Sequence, residues 1–139
     1  MSLVLLDTHV WVWLLNGDSR ISPKARTAVT RSLSEQAVLL SAISPWEVAM
    51  LVSKGRLTLD RDVGEWVQIA TSLSGIRIEP ISPEVAVAST RLPGQIHGDP
   101  ADRLIAATAR HLGATLVTDD QLLLDYGAAG HLKTLKAGR

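Results

Sequence analysis

Acidic residues at the ends of apolar segments are the strongest candidates for chemistry in this sequence. Asp7 ends the run LVLLD, Glu47 follows the run AVLLSA, and Asp120 follows the run TLVT. The stretch HGDPADRLIAATA places Asp99 and Asp102 three residues apart at the start of an apolar helix. Carboxylates that converge in a partly dry site repel one another. Mg²⁺ or Mn²⁺ would remove that cost and could activate water to hydrolyse a phosphodiester.

Each acid also has a structural explanation that needs no partner. Asp99 precedes a proline, where its side chain can cap a helix, and Ser44 and Glu47 have the spacing of a capping box. Asp119 can cap the last helix, which would leave Asp120 in the first turn. Two other Ser-Pro pairs begin predicted helices with no acid at the third helical position, so this chain does not need a capping box to start a helix.

Short apolar runs alternate with helical patterns along the whole chain. The predicted strands span 3–7, 37–42, 76–81, 115–118 and 132–135, and the predicted helices span 8–15, 23–36, 45–54, 62–73, 83–91, 100–112 and 120–126. This alternation predicts an α/β fold, a three-layer α/β/α sandwich with a central, mainly parallel sheet of four to five strands. We find neither a repeat nor a linker, so residues 1–139 are predicted to form a single domain. Ligands of such sheets bind outside the carboxyl ends of the strands, where the acids are expected.

The composition restricts the classes of site and partner. The chain has 139 residues, 46% of them hydrophobic, and it has no cysteine, which excludes disulfides and thiolate metal sites. Fourteen basic and fourteen acidic residues cancel, so a nucleic acid would have to be held by a local basic patch. Asp7 and His9 interrupt the apolar N-terminal segment. We therefore expect neither a secretory signal nor a membrane-spanning helix, and we expect a cytoplasmic protein.

Four motifs in this order resemble those of the PIN-domain nucleases, and most of all the VapC toxins of VapBC toxin–antitoxin modules. They are LLDTHVWVWLL, SAISPWEVAM with the SKGRLTL that follows, HGDPADRLIAATA and LVTDD. The resemblance covers essentially the whole chain. It implies a PIN-like parallel α/β/α sandwich, cleavage of RNA that depends on Mg²⁺ or Mn²⁺, homodimerisation, and a small cognate antitoxin that blocks the site.

The resemblance also implies roles for individual residues. It assigns catalysis and metal binding to four acids, which are Asp7, Glu47, Asp102 and Asp120. Asp99 belongs to a DPxDR variant of the third motif and is an auxiliary ligand or a cap. Thr8 and Thr118 resemble small polar residues that orient the acids through hydrogen bonds. His9 and His97 lie near these motifs and are interpreted as surface or packing residues.

Basic and aromatic residues near the motifs are weaker candidates for contacts with RNA. Lys54, Arg56 and Arg103 could contact phosphates, although charged helix faces are usually only solvated. Trp46 and the other three tryptophans could stack on bases, but their helical spacing favours a core or an interface. Residues 10–15 are apolar on all sides, which predicts a helix buried on one side and covered by a second subunit on the other.

Three other functions are compatible with parts of the pattern. A phosphotransferase with a nucleophilic aspartate would have a second Asp where His9 stands. A receiver-type signalling domain would need adjacent acids after the first strand and an acceptor Asp after a middle strand, and LLDTH and IRIEPI supply neither. A degenerate PIN fold that only binds RNA or protein is the third, and the presence of all four motif acids argues against it. The sequence therefore favours a nuclease.

Overall fold

Five short parallel strands form the centre of the protein, and helices pack on both faces of this sheet. The computed structural model describes residues 3–96 and 98–139, and His97 lies outside the described residues. The strands are β1 (Val4–Leu6), β2 (Val38–Ser41), β3 (Ile76–Glu79), β4 (Thr115–Thr118) and β5 (Lys133–Lys136). The helices are α1 (Thr8–Leu15), α2 (Pro23–Ser34), α3 (Ile43–Ser53), α4 (Val63–Thr71), α5 (Pro83–Ala88), α6 (Pro100–Leu112) and α7 (Gln121–Ala128).

The order of the strands places a topological switch point at the middle of the sheet. The order is β3-β2-β1-β4-β5, and every neighbouring pair is parallel. The chain moves outward from β1 through β2 to β3 and then returns to the other side of β1 to form β4 and β5. The direction reverses between β1 and β4, so the crevice at their carboxyl ends is the expected place for a ligand.

Alternate residues of the central strands supply two separate cores. Leu6 and Leu40 belong to one core, with side chains from α1 to α4, whereas Leu5 and Leu39 belong to the other, with side chains from α6 and α7. Successive residues of a strand point to opposite faces, so one continuous apolar run serves both layers. This arrangement confirms the predicted three-layer sandwich.

The predicted ends of the elements match for α1, α6 and β4 and shift by a few residues elsewhere. Helix α2 ends at Ser34, because Gln36 adopts a left-handed backbone with φ of 55° that a helix cannot contain. Helix α3 begins at Ile43, two residues earlier than predicted, and its N-cap Ala42 makes no side-chain capping bond. The predicted capping box is therefore wrong, since Ser44 lies inside the helix.

The interpretation of the apolar segment 10–15 as a surface for a second subunit is wrong. Trp11 is fully buried, Trp13 is 9% exposed, and the remaining residues of the segment are buried or half-buried within the monomer. Trp11 packs edge-to-face on Trp66 at a ring separation of 4.9 Å. Side chains of α2, α3 and α4 in the same core cover the segment, which sequence periodicity alone cannot reveal. Helix α1 thus gives no support to the predicted homodimer.

Within the described residues, none of the helices combines the length and the apolar character that crossing a membrane would need.

Candidate active site

Asp7 occupies the carboxyl end of the central strand and is held rigidly. It follows β1 directly and is the N-cap of α1, where its Oδ1 accepts a hydrogen bond of 2.9 Å from the Thr8 amide. Its Oδ2 accepts a hydrogen bond of 2.6 Å from the hydroxyl of Thr118, at the end of the adjacent β4. Asp7 is only 3% exposed. Both strands of the switch point therefore fix this carboxylate.

His9 lies beside the Asp7 carboxylate, a contact that the sequence did not indicate. Its Nδ1 is 3.6 Å from Asp7 Oδ2, and its Nε2 accepts a hydrogen bond of 3.2 Å from the Asp119 amide. A neutral imidazole that accepts at Nε2 carries its proton on Nδ1, so the N–H is directed toward Asp7. The sequence signal for this contact was weak. It consisted of the position of His9 two residues after Asp7, in a helix that begins directly after the strand.

Glu47 projects from the first turns of α3 toward Asp7 and is oriented by two hydroxyls. The hydroxyl of Thr8 donates a short hydrogen bond to Glu47 Oε1 and lies 2.9 Å from the hydroxyl of Ser44. A threonine hydroxyl has a single proton, so Ser44 is the donor to Thr8 when Thr8 donates to Glu47. Burial raises the pKa of Glu47, the Thr8 hydrogen bond opposes that shift, and the charges of Asp7 and Asp99 add to it. Ser44, which resembled a helix cap in the sequence, is thus part of the site.

Asp99 and Asp102 enter the site from the opposite side, at the N-terminus of α6. Oxygen atoms of Glu47, Asp99 and Asp102 all lie within 4.8 Å of one another. Asp99 Oδ1 also accepts a hydrogen bond of 3.0 Å from the Asp102 amide, so Asp99 caps the helix. Burial, followed by the charges of Asp7, Asp99, Asp120 and Glu47, raises the pKa of Asp102 to about 8. Capping and membership of the cluster coexist, because a carboxylate has two oxygens.

Asp120, and not Asp119, caps the final helix. Asp120 is the N-cap of α7, and its Oδ1 accepts from the amides of Leu122 and Leu123 at 2.9 and 3.1 Å. The Asp119 carboxylate turns away and accepts from the Gly138 amide at 3.0 Å. The prediction that Asp119 caps the final helix is therefore wrong. Asp120 is the acid near enough to raise the pKa of Asp102.

The chemistry of these side chains fits a hard divalent cation. The structure brings Glu47, Asp99 and Asp102 together in a group that could hold an ion, with Asp7 beside them. Carboxylate oxygens are the ligands that Mg²⁺ and Mn²⁺ prefer. The raised pKa values of Glu47 and Asp102 record the cost of crowding negative charge in a half-buried site. A bound cation would offset that cost.

The basic residues proposed for RNA contacts fall into two groups. The Arg103 guanidinium donates to the carbonyls of Ser89 and Ile96, at 2.9 and 3.5 Å, which ties α6 to the segment that precedes it. Lys54 and Arg56 are exposed and line a groove that also contains Glu47. Contact of all three cations with RNA stays a prediction, with geometric support only for Lys54 and Arg56.

Comparisons with known proteins agree with this geometry. The PIN domain family model matches residues 4–128. Ribonuclease VapC22 of Mycobacterium tuberculosis is 41% identical over 126 residues, which span 91% of this chain and 93% of that protein.

Solved structures share the fold at lower identity. VapBC2 from Rickettsia felis, bound to a DNA fragment from its promoter, aligns at a TM-score of 0.69 and 22% identity over 96% of this chain and 97% of that chain. A toxin–antitoxin complex from Klebsiella pneumoniae aligns at a TM-score of 0.61 and 18% identity over 96% and 97%. The protein thus belongs to the PIN-domain family and is a homologue of the VapC ribonucleases.

Proposed function

We propose that this protein is a metal-dependent endoribonuclease and the toxin of a type II toxin–antitoxin module. One observation carries the proposal: carboxylates from α3 and α6 meet within 4.8 Å beside Asp7, at the switch point of the sheet. The 41% identical relative, which is a ribonuclease, supports RNA as the substrate. The PIN-domain motifs of the sequence support both RNA as the substrate and the assignment of four acids to the site.

The residues proposed to hold Mg²⁺ or Mn²⁺ are Asp7, Glu47, Asp102 and Asp120, with Asp99 as an auxiliary ligand. A divalent cation bound to carboxylates supplies a more acidic water and neutralises charge on the phosphate during in-line attack. Asp120 commits Oδ1 to the cap of α7, so Oδ2 is the oxygen with which it would help to hold the ion.

The protein's own contribution is to hold these acids in place before the substrate arrives. Thr118 and the Thr8 amide immobilise the two oxygens of Asp7. Thr8, held in turn by Ser44, orients Glu47 from the side of α1. Preorganised charges need not reorganise during the reaction, which is how such a site lowers the barrier. The scissile phosphate would lie beside Asp7 and the acids at the N-terminus of α6, where a bound cation would offset the repulsion between phosphate and carboxylates.

We further propose a small cognate antitoxin, a homodimer and a cytoplasmic location, where RNA substrates occur. The resemblance to VapC implies the antitoxin, and solved neighbours that are toxin–antitoxin or VapBC complexes support it. The homodimer follows from the family resemblance alone, since α1 is covered within the monomer. Co-purification of the protein with the product of a neighbouring gene would test the antitoxin, and light scattering at micromolar concentration would test the dimer.

The decisive experiment incubates purified protein with RNA in EDTA and after addition of Mn²⁺ or Mg²⁺. We expect cleavage only with the metal, and we expect Asp7→Asn and Glu47→Gln each to lose most of it while they remain folded. Asp60→Asn is the matched control, because Asp60 is an exposed acid whose partner is Arg61. Cleavage that continues at full rate in EDTA, or a Glu47→Gln variant as active as wild type, would contradict the proposal.

A further inference from the structure

A groove between α3 and the start of α6 opens directly onto the acidic site. We call it the α3–α6 groove, and its walls include Trp46, Met50, Leu51, Lys54, Arg56 and Pro100. Glu47 and Asp99 lie on the same walls, so the groove and the candidate metal site are continuous. Its volume is about 210 Å³, whereas sites that enclose drug-sized ligands have roughly 300–1,000 Å³. The groove therefore has room for a small group such as one aromatic ring system.

Trp46 differs from the other tryptophans of the chain. Its exposed fraction is 53%, whereas Trp11, Trp13 and Trp66 are 9% exposed or less. A large aromatic ring left in water beside an acidic site contributes nothing to the core. An exposed indole offers a flat surface on which any nucleobase can stack.

The charges of the groove favour a nucleic acid over an apolar occupant. Lys54 and Arg56 are exposed, and among the described residues neither side chain forms a hydrogen bond or a salt bridge. By contrast, the side chains of Arg20 and Arg110 are engaged with Asp18 and with the His131 carbonyl. Two available cations beside an aromatic ring match the alternation of phosphate and base along a single strand.

We infer that the α3–α6 groove holds a single-stranded RNA nucleotide next to the scissile phosphate, with its base stacked on Trp46 and its backbone phosphates contacting Lys54 and Arg56. This inference rests on the proposed ribonuclease function and adds a subsite to it. Because stacking on tryptophan does not distinguish hydrogen-bonding edges, the groove would favour an unpaired base over a paired one rather than one sequence.

The test measures binding in EDTA, where the proposed function predicts no cleavage. Two fluorescein-labelled ligands are compared by anisotropy, a single-stranded oligoribonucleotide and an abasic ribose-phosphate chain of equal length. Trp46→Ala should weaken binding of the RNA by about 5- to 150-fold, as loss of one stacked base does, and should leave the abasic chain unaffected. Trp46→Phe keeps a stacking surface and should bind RNA nearly as wild type does.

Two further measurements separate phosphate contacts from stacking. Lys54→Gln should reduce the slope of log affinity against log salt by about 0.7 for both ligands, as expected for one contact with a single strand. Lys133→Gln is the control, because Lys133 is an exposed lysine at the amino end of β5, on the opposite edge of the sheet. RNA should also quench the fluorescence of wild-type protein, in which Trp46 is the exposed fluorophore, and this quenching should disappear in Trp46→Phe.

The outcomes distinguish this inference from the proposed function. If wild type cleaves RNA with Mn²⁺ but Trp46→Ala binds RNA as wild type does, the groove assignment is overturned and the nuclease stands. If Trp46→Ala loses affinity only for the RNA while wild type never cleaves, the groove is supported and the nuclease is not. Equal losses for RNA and abasic chain, or loss of antitoxin binding with RNA binding unchanged, would overturn the inference.

Discussion

Replacing Asp102 by Asn should stabilise the metal-free protein, and increasingly so as pH rises. In the folded protein, burial and four neighbouring carboxylates raise the pKa of Asp102 to about 8, from an ordinary value of 3.8. The folded state therefore keeps a proton that the unfolded chain releases, and wild-type stability falls as pH rises between these two values. Asparagine is nearly isosteric and does not titrate, so it avoids this loss.

The size of the effect follows from the two pKa values. Each pH unit between them costs wild type up to 1.36 kcal/mol relative to the variant, or about 4 kcal/mol between about pH 5 and about pH 8. This is an upper bound, because solvent screens the charge of a half-buried group and because neighbouring carboxylates share the proton of a coupled cluster. The dependence should fade as pH falls through 3.8, because Asp102 then becomes protonated in the unfolded state as well.

Urea unfolding in EDTA at several pH values measures this difference directly. The midpoint of Asp102→Asn should move above that of wild type as pH rises, with similar slopes. Asp60→Asn is the control for removing a negative charge, because Arg61 lowers the pKa of Asp60 and its effect should not grow over this range. A stability difference for Asp102→Asn that stays constant or reverses with pH would refute the crowding of charge described here.

Three further predictions concern the same site. Mn²⁺ at one hundred times its Kd should stabilise the wild-type protein by about 2.7 kcal/mol and so raise its melting temperature. The melting temperature of Asp102→Asn should rise much less, and equal rises would contradict a site that includes Asp102. Ser44→Ala should weaken Mn²⁺ binding measured by calorimetry and should lower the free energy of unfolding by about 1 kcal/mol. Ser53→Ala, at the exposed end of the same helix, should leave Mn²⁺ binding unchanged, and unchanged binding in Ser44→Ala would remove Ser44 from the site. Asp99→Ser should retain the helix cap and part of the cleavage, while Asp102→Asn should abolish cleavage; the reverse result would show that the cap and the essential ligand have been confused.

Much of the fold could be predicted because local patterns are unambiguous in its centre. The run LVLL is short and apolar on both faces, which is typical of a strand covered on both sides, and β1 is such a strand. Pro100 after Asp99 and Gly113 with φ of 64° define the two ends of α6, and both lie where the sequence placed them. Alternation of such strands with helices then implies a parallel sheet and a site at its carboxyl edge.

The tertiary structure alone decided which neighbours each residue has. Ser44 stands in a sequence context typical of a helix cap. Because α3 begins one residue before it, Ser44 lies inside the helix, and its hydroxyl contacts that of Thr8 in α1. Asp119 and Asp120 are adjacent acids with similar local propensities, and only the positions of Gly138 and the α7 amides separate them. From the sequence, segment 10–15 was expected to have one uncovered side. The helices that cover that side are separated from the segment along the chain, so only the fold shows the contact. Local propensity determines which segments form helices and strands and roughly where they lie. The contacts that orient the acids join residues up to 111 positions apart, as between Thr118 and Asp7, and arise only when the sheet assembles.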